Sequence, residues 1–323
     1  MIAGPAATAV MYGYHDVGAR CLRVLLAHGV NILRVVTHAD NPAETLFFER
    51  VADVARDYGL PVTTPADPNA PAEVGSIAAL APDFIFSFYY RQMLAPALLA
   101  IPRRGALNMH GSLLPAYRGR APVNWAVLRG ERRTGASLHY MEAKPDAGDL
   151  VDQMAVPILP DDTAREVFDK VTVAAEVTLD RALPQLLAGT APRIALDLAS
   201  GSYFGGRTPE DGRIDWQWSA RRVHDLVRAV APPYPGAFVD IDGRRLRILR
   251  TRVISDDTPA GPPRLELRNG RLIAACGGGG TAEIVEADLD GAPLSASAMA
   301  EALGAPRALP RSTSMASRSG TSA

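Results

Sequence analysis

Along the first half of the chain, short apolar runs alternate with stretches in which apolar residues recur at helical spacing. The runs at Thr8–Tyr12, Asn31–Thr37, Leu60–Thr64 and Asp83–Phe88 have the length and composition of buried strands. Between them, Tyr14–Gly18 reads as a turn into a helix carrying Cys21, Leu22, Leu25 and Leu26. Leu46, Phe47, Val51, Val54 and Ala55 predict a helix over Pro42–Tyr58, and Pro71–Leu80 predicts another. This strand-helix-strand rhythm implies an α/β fold: a Rossmann-like, mostly parallel sheet with right-handed crossovers and helices on both faces.

Further strands are expected at Gly105–Leu107, Thr134–Met141 and Asp149–Ile158, with a helix over Pro122–Arg129. Asp161-Asp162-Thr163 offers an N-cap for a long helix ending near Ala188-Gly189, with Pro184 as a kink position. Beyond Ala199–Ser202 the pattern changes to short strand-like segments at Gly236–Ile241, Arg245–Val253 and Leu272–Cys276, punctuated by Gly and Pro, which fit a small β-barrel. Trp216 and Trp218 read as packing residues, and Gly277–Gly280 as a flexible turn. The expected domains are 1–200, 201–307 and a disordered tail over 308–323, rich in Ser and Arg.

The densest chemistry follows the strand at Gly105, where Gly111 and Pro115 stop regular structure after Asn108 and His110. Positions i and i+2 of a strand share a face, so both side chains can address one reacting centre. In an open α/β sheet the carboxyl ends of the parallel strands form the ligand crevice. An Asn amide can donate to an oxyanion, and a His near neutrality can move a proton. Asp146, if the fold brings it to the imidazole, favours the charged ring. Singly, each residue is also compatible with a structural role; together they describe acyl transfer. Gly13 and Gly18 lack the residues of a phosphate loop or a dinucleotide fingerprint. His15 and Asp16 sit at the same ligand edge, where capping and ligand contact are both open. Tyr117-Arg118-Gly119-Arg120 places two guanidinium groups on a glycine-containing loop, suited to phosphate or carboxylate or simply to solvent. His110 and His139 lie too far from any cysteine or paired His-Glu arrangement to suggest zinc.

From Phe86 to Asp149 the chain resembles the formyltransferase family that uses 10-formyltetrahydrofolate, whose signature of Asn-x-His, Ser-Leu-Leu-Pro and Asp-x-Gly is present here in order. Phe86–Arg91, Leu113–Trp125 and Phe204–Asp211 narrow the likeness to the branch that formylates UDP-4-amino-4-deoxy-L-arabinose in lipid A modification and polymyxin resistance, over roughly residues 7–305. The resemblance implies that Asn108 stabilises an oxyanion, His110 handles the proton and Asp146 holds the ring. It places the folate co-substrate against Tyr90, Gln92, Met93 and Leu94, Arg120, and the loop Glu142, Ala143, Lys144 and Pro145, with no metal. Tyr14, Tyr89, Arg91 and Arg118 are candidates for contacting a nucleotide-sugar substrate. Tyr234–Phe238 matches the family's segment in an OB-like barrel. The branch's dehydrogenase-decarboxylase half has no counterpart here, so this chain is not expected to make its own amino-sugar by that route.

Two alternatives share the motif. A methionyl-tRNA formyltransferase would carry a Gly-Thr-Pro opening after the first strand and a basic loop near Thr37–Asn41, and neither is visible. Formylation of another UDP-, dTDP- or GDP-linked amino-deoxyhexose is the other alternative, since no residue reads the base by a stated rule, and a binding module without activity is disfavoured by the intact motif.

Composition changes this picture little. The chain has 323 residues, 47% of them hydrophobic, a net charge of −1 and a pI near 6.6, enough for two cored domains and without attraction for a polyanion or an acidic membrane. From Phe204 onward 16 arginines face 14 acidic residues, too balanced for a tRNA footprint. Cys21 and Cys276 form no metal-type spacing or disulfide framework, which suits a reducing cytosol. Met1–Ala9 has no leader pattern and no run reaches membrane-spanning length, so a cytoplasmic location is expected.

Overall fold

The structure, a computed structural model, describes residues 7–40 and 46–310. These form two compact units: residues up to 119, 134–156 and 169–203 make the first, and 120–133, 157–168 and 204 onward make the second.

In the first unit, β1 (Thr8–Gly13), α1 (His15–Ala27), β2 (Asn31–Val36), α2 (Val51–Asp57), β3 (Val62–Thr63), α3 (Pro71–Leu80), β4 (Phe84–Phe88), α4 (Pro96–Leu99), β5 (Gly105–His110) and β6 (Arg118–Gly119) follow in order. The chain then forms α5 (Pro122–Leu128) in the second unit and returns for β7 (Arg133–Tyr140) and β8 (Leu150–Pro157). The sheet order is β3-β2-β1-β4-β5-β7-β8. Strands β1 to β5 pair in parallel and β7 runs antiparallel to β5, so the sheet is mostly parallel as its rhythm implies. Strand order reverses between β1 and β4, which opens the crevice at their carboxyl ends.

Nearly continuous apolar sequence makes these strands because both faces are covered. Phe84, Phe86 and Phe88 alternate onto one face of β4, stack at 5.5 and 5.6 Å, and are at most 1% exposed. Burying a side chain of this size contributes on the order of 1.5–3 kcal/mol.

Helix α2 and strand β3 differ from the sequence pattern. The helix expected from Pro42 begins at Val51; Leu46–Arg50 are not helical, and 41–45 lie outside the described residues. The cause is aromatic: the Phe48 ring stacks on His15 at 4.1 Å and meets Tyr14 edge-on at 5.0 Å, while Phe47 lies 5.3 Å from His15. Those contacts outweigh the helical spacing that Leu46 and Phe47 suggest. The third strand shortens to Val62–Thr63.

The long helix α6 (Ala164–Ala188) starts where its cap predicts, with the Thr163 hydroxyl accepting from the Glu166 N–H at 3.3 Å and the Glu166 carboxylate accepting from the Thr163 N–H at 2.7 Å. After β9 (Tyr203–Phe204) the second unit continues with α7 (Ala220–Val230), β10 (Ala237–Ile241), β11 (Arg244–Ser255), β12 (Arg264–Arg268), β13 (Arg271–Ala275), β14 (Thr281–Leu289), β15 (Ala292–Pro293), α8 (Ala296–Leu303) and β16 (Arg307–Ala308). Its sheet, β10-β11-β14-β13-β12-β16, is antiparallel, and register shifts between β11 and β14 mark the bulges that curl it into a barrel-like form. Val223, Leu226, Val227 and Val230 turn the apolar face of α7 into that core beside a fully buried Trp216.

The Gly277–Gly280 turn is pinned rather than flexible. Its N–H groups donate to the carbonyls of Trp216, Trp218, Cys276 and Thr258, and a Cβ on Gly278 would stand 2.7 Å from the Ser219 nitrogen. Leu309 is buried, and 311–323, most of the expected disordered tail, lie outside the described residues. Among the described residues no helix is long and apolar enough to cross a membrane.

Candidate active site

Strand β5 delivers Asn108 and His110 to one face, and β7 lies alongside it in a register that sets His139 opposite Asn108. The loop after β7 then turns back over the pair. It can do so because Asp146 adopts a left-handed backbone (φ 51°), which Asp tolerates better than most residues, and because Gly148 has no side chain. A Cβ on Gly148 would stand 2.2 Å from the Tyr140 carbonyl oxygen.

Four groups converge on the Asp146 carboxylate. Its Oδ2 accepts the Gly119 N–H at 2.9 Å. Its Oδ1 lies 3.4 Å from His110 Nδ1, 3.5 Å from His139 Nε2 and 3.5 Å from Asn108 Nδ2. Asn108 Nδ2 also reaches His139 Nε2 at 3.1 Å. Each imidazole is anchored at its other nitrogen by a carbonyl: His110 Nε2 by Tyr117 and His139 Nδ1 by Tyr140, both at 2.8 Å.

Burial pushes the Asp146 carboxyl up, but the imidazoles of His110 and His139 and the Gly119 N–H outweigh it and hold the group well below the usual carboxylate range. Burial also dominates at His110, lowering its basicity; Asp146 and the Tyr117 carbonyl oppose this, and His139 adds to it. The result is an ionised carboxylate beside an imidazole that is free to accept a proton. Cys21 is inert by contrast, because burial in α1 drives its thiol far up.

The other candidates occupy varied places. Tyr90 follows β4, its ring stacked on His38 at 4.1 Å and edge-on to Tyr12 at 5.3 Å, with burial first among the causes that push its hydroxyl up to about 12. Gln92 donates to the Ala66 carbonyl at 3.0 Å, Met93 is exposed, and Leu94 is buried in the sheet core, so only its backbone can face a ligand. Glu142, Ala143 and Lys144 are exposed on the loop before Asp146, and Pro145 is half-buried. Tyr14 is buried, its hydroxyl donating to Asp40 at 3.1 Å and its ring covered by the Arg91 guanidinium at 4.5 Å. Tyr89 takes a left-handed backbone (φ 59°) at the end of β4.

Arg118 is not solvated: it is 4% exposed, with its Nε buried and without a hydrogen-bond partner among the described residues. Arg120 is exposed in the second unit, where its N–H donates to the Phe204 carbonyl at 2.9 Å. Asp16 has a structural task, accepting the Glu49 N–H at 2.8 Å.

Two groups at the site escape the sequence pattern. His139 belongs to no motif; pairing β5 antiparallel to β7 and counting the register is the signal that puts it across from Asn108. His38 follows β2 in the loop beyond Val36, accepts the Arg91 N–H at 3.0 Å, and is lowered to about 4, by burial first and then by Arg91.

An amide donor, a carboxylate and two carbonyl-anchored imidazoles at the ligand edge of a parallel sheet are equipment for moving an acyl group onto an outside nucleophile. Residues 20–183 match the formyl transferase family and residues 207–303 match its C-terminal domain, so the chain belongs to the formyl transferase family and is a formyltransferase. Solved structures agree on the fold. An N-formyltransferase from Helicobacter canadensis, complexed with folinic acid and dTDP-3-aminofucose, superposes with a TM-score of 0.68 at 17% identity, covering 86% of this chain and 98% of that one. WlaRD, a sugar 3N-formyl transferase solved with dTDP and 5-N-formyl-THF, gives 0.69 at 17% identity over 88% and 98%. A 4-N formyltransferase from Francisella tularensis gives 0.60 at 18% identity over 74% and 94%.

Proposed function

We propose that the protein transfers the formyl group of 10-formyltetrahydrofolate to the amine of a nucleotide-linked amino-sugar, with UDP-4-amino-4-deoxy-L-arabinose as the acceptor. The observation that carries the reading is the convergence of Asn108, His110 and Asp146 in a chain of the formyl transferase family. Solved relatives of the same fold bind folates together with dTDP or a dTDP-amino-sugar, which supports the donor and the class of acceptor. The choice of sugar rests on the likeness of Phe86–Arg91, Leu113–Trp125 and Phe204–Asp211 to the arabinose branch.

In the reaction the sugar amine forms a bond to the formyl carbon, the bond from that carbon to folate N10 breaks, the amine loses one proton and N10 gains one. Asn108 donates to the formyl oxygen as it gathers negative charge. His110 receives the proton at Nδ1, since Nε2–H is committed to the Tyr117 carbonyl, and the imidazolium then pairs with Asp146. The Tyr90–Leu94 segment and the Glu142–Pro145 loop hold the folate, with the half-buried Tyr90 ring offering a flat face to a heterocycle.

The test is a panel of UDP- and dTDP-linked amino-sugars with 10-formyltetrahydrofolate, followed by tetrahydrofolate release. The highest kcat/KM is expected with UDP-4-amino-4-deoxy-L-arabinose. Turnover confined to dTDP-sugars would replace the acceptor, and no turnover with any nucleotide-sugar would overturn the reading.

A further inference from the structure

Asn108 and His139 are direct cross-strand partners, and on an antiparallel pair such residues share a face and touch. The Tyr140 carbonyl can only accept, so the 2.8 Å contact fixes the hydrogen of His139 on Nδ1 and leaves the lone pair of the neutral ring on Nε2. That lone pair takes one Asn108 N–H at 3.1 Å. It thereby decides which end of the carboxamide turns inward. The second N–H of Asn108 faces Asp146 Oδ1 at 3.5 Å, the outer limit of a hydrogen bond, and is the one left for an incoming carbonyl oxygen.

The same logic applies to His110. Its Nε2–H is committed to Tyr117, so its bare nitrogen is Nδ1, 3.4 Å from Asp146 Oδ1. His139 Nε2 faces that oxygen at 3.5 Å. The groups facing His110 are Asp146 from the loop after β7, His139 from β7 and the Tyr117 carbonyl; those facing His139 are Asn108 from β5, Asp146 and the Tyr140 carbonyl. A proton arriving on His110 is drawn by Asp146.

Resting on the formyl-transfer reading above, we propose that His139 is a positioning residue: it aims the Asn108 carboxamide through its Nε2 lone pair, so that the second Asn108 N–H is the one presented to the formyl oxygen. His139 is 1% exposed and reaches the reaction only through Asn108 and Asp146.

Nitrogen-15 NMR of the histidine side chains in the full chain tests this without any substrate, and so separately from the identity of the acceptor. In the parent protein His139 is expected as the Nδ1–H tautomer and His110 as the Nε2–H tautomer. In His139→Phe kcat should fall by up to about 10²-fold, the cost of misplacing a reacting group, with KM unchanged. His139→Gln, whose side-chain oxygen can still accept from Asn108, should recover part of kcat. A parent His139 protonated on Nε2 overturns the proposal, as does a His139→Phe variant with the kcat of the parent; where a variant does not fold, the parent tautomer decides.

Discussion

Asn108, His110 and Asp146 differ in what each loses on truncation. Asn108→Ala removes a donor aimed at developing negative charge and should lower kcat by about 10²–10³, read as a loss in kcat with little change in KM for either substrate. His110→Ala removes the proton acceptor and should cost about 10²–10⁴. Asp146→Asn keeps the size of the side chain but removes the charge with which a protonated His110 pairs, so a loss in the same range is expected, and 10-formyltetrahydrofolate binding measured by calorimetry should persist. Near-parent turnover in any of the three would contradict its role. The first two residues are legible in the sequence because strand periodicity alone places i and i+2 on one face. Asp146 is legible only as part of a motif, since no local rule says that a loop after β7 will fold back over β5. The burial of Arg118 is not legible, because loop sequence carries no signal that separates a buried guanidinium from a solvated one.

At the level of elements, the return of the loop depends on Gly148. An added Cβ would meet the Tyr140 carbonyl, the same oxygen that anchors His139, at 2.2 Å. Gly148→Ala should therefore destabilise the protein by about 1–3 kcal/mol, as overpacking typically does. It should also lower kcat, because the loop carries Asp146. A urea midpoint and a turnover rate both equal to the parent's would count against this account. Elements set by local pattern are readable: α3 begins at a proline in its first turn, and β4 and β5 are apolar runs bounded by breakers. The start of α2 is not, since Phe47 and Phe48 are used by a ring cluster built from residues of other elements. Helix α7 carries a readable signal in Val223, Leu226, Val227 and Val230, hidden among segments that otherwise punctuate like a barrel.

For the whole molecule, acid stability follows from its histidines. His38 is lowered to about 4 by burial and then by Arg91; His110 and His224 are lowered too, with burial the main cause in each. His224 binds the Thr251 hydroxyl through Nδ1 at 2.9 Å and the Pro160 carbonyl through Nε2 at 2.8 Å, so its ring is held neutral inside the second unit. An unfolded chain has ordinary histidines near 6.5 and takes up protons that the folded chain refuses. The stability these residues contribute is therefore fully present above about pH 6.5 and is lost as pH falls toward the lower folded values. The carboxylates held low, Asp83, Asp146 and Glu166 among them, do not offset this, because their contribution changes only below the ordinary carboxylate range. Urea unfolding at pH 7.5 and pH 5 should show a lower midpoint at pH 5 with an unchanged m-value, since the surface exposed on unfolding is the same. His224→Gln should flatten that dependence in part, and equal midpoints for the parent at the two pH values would mean that these imidazoles are not held neutral by the fold.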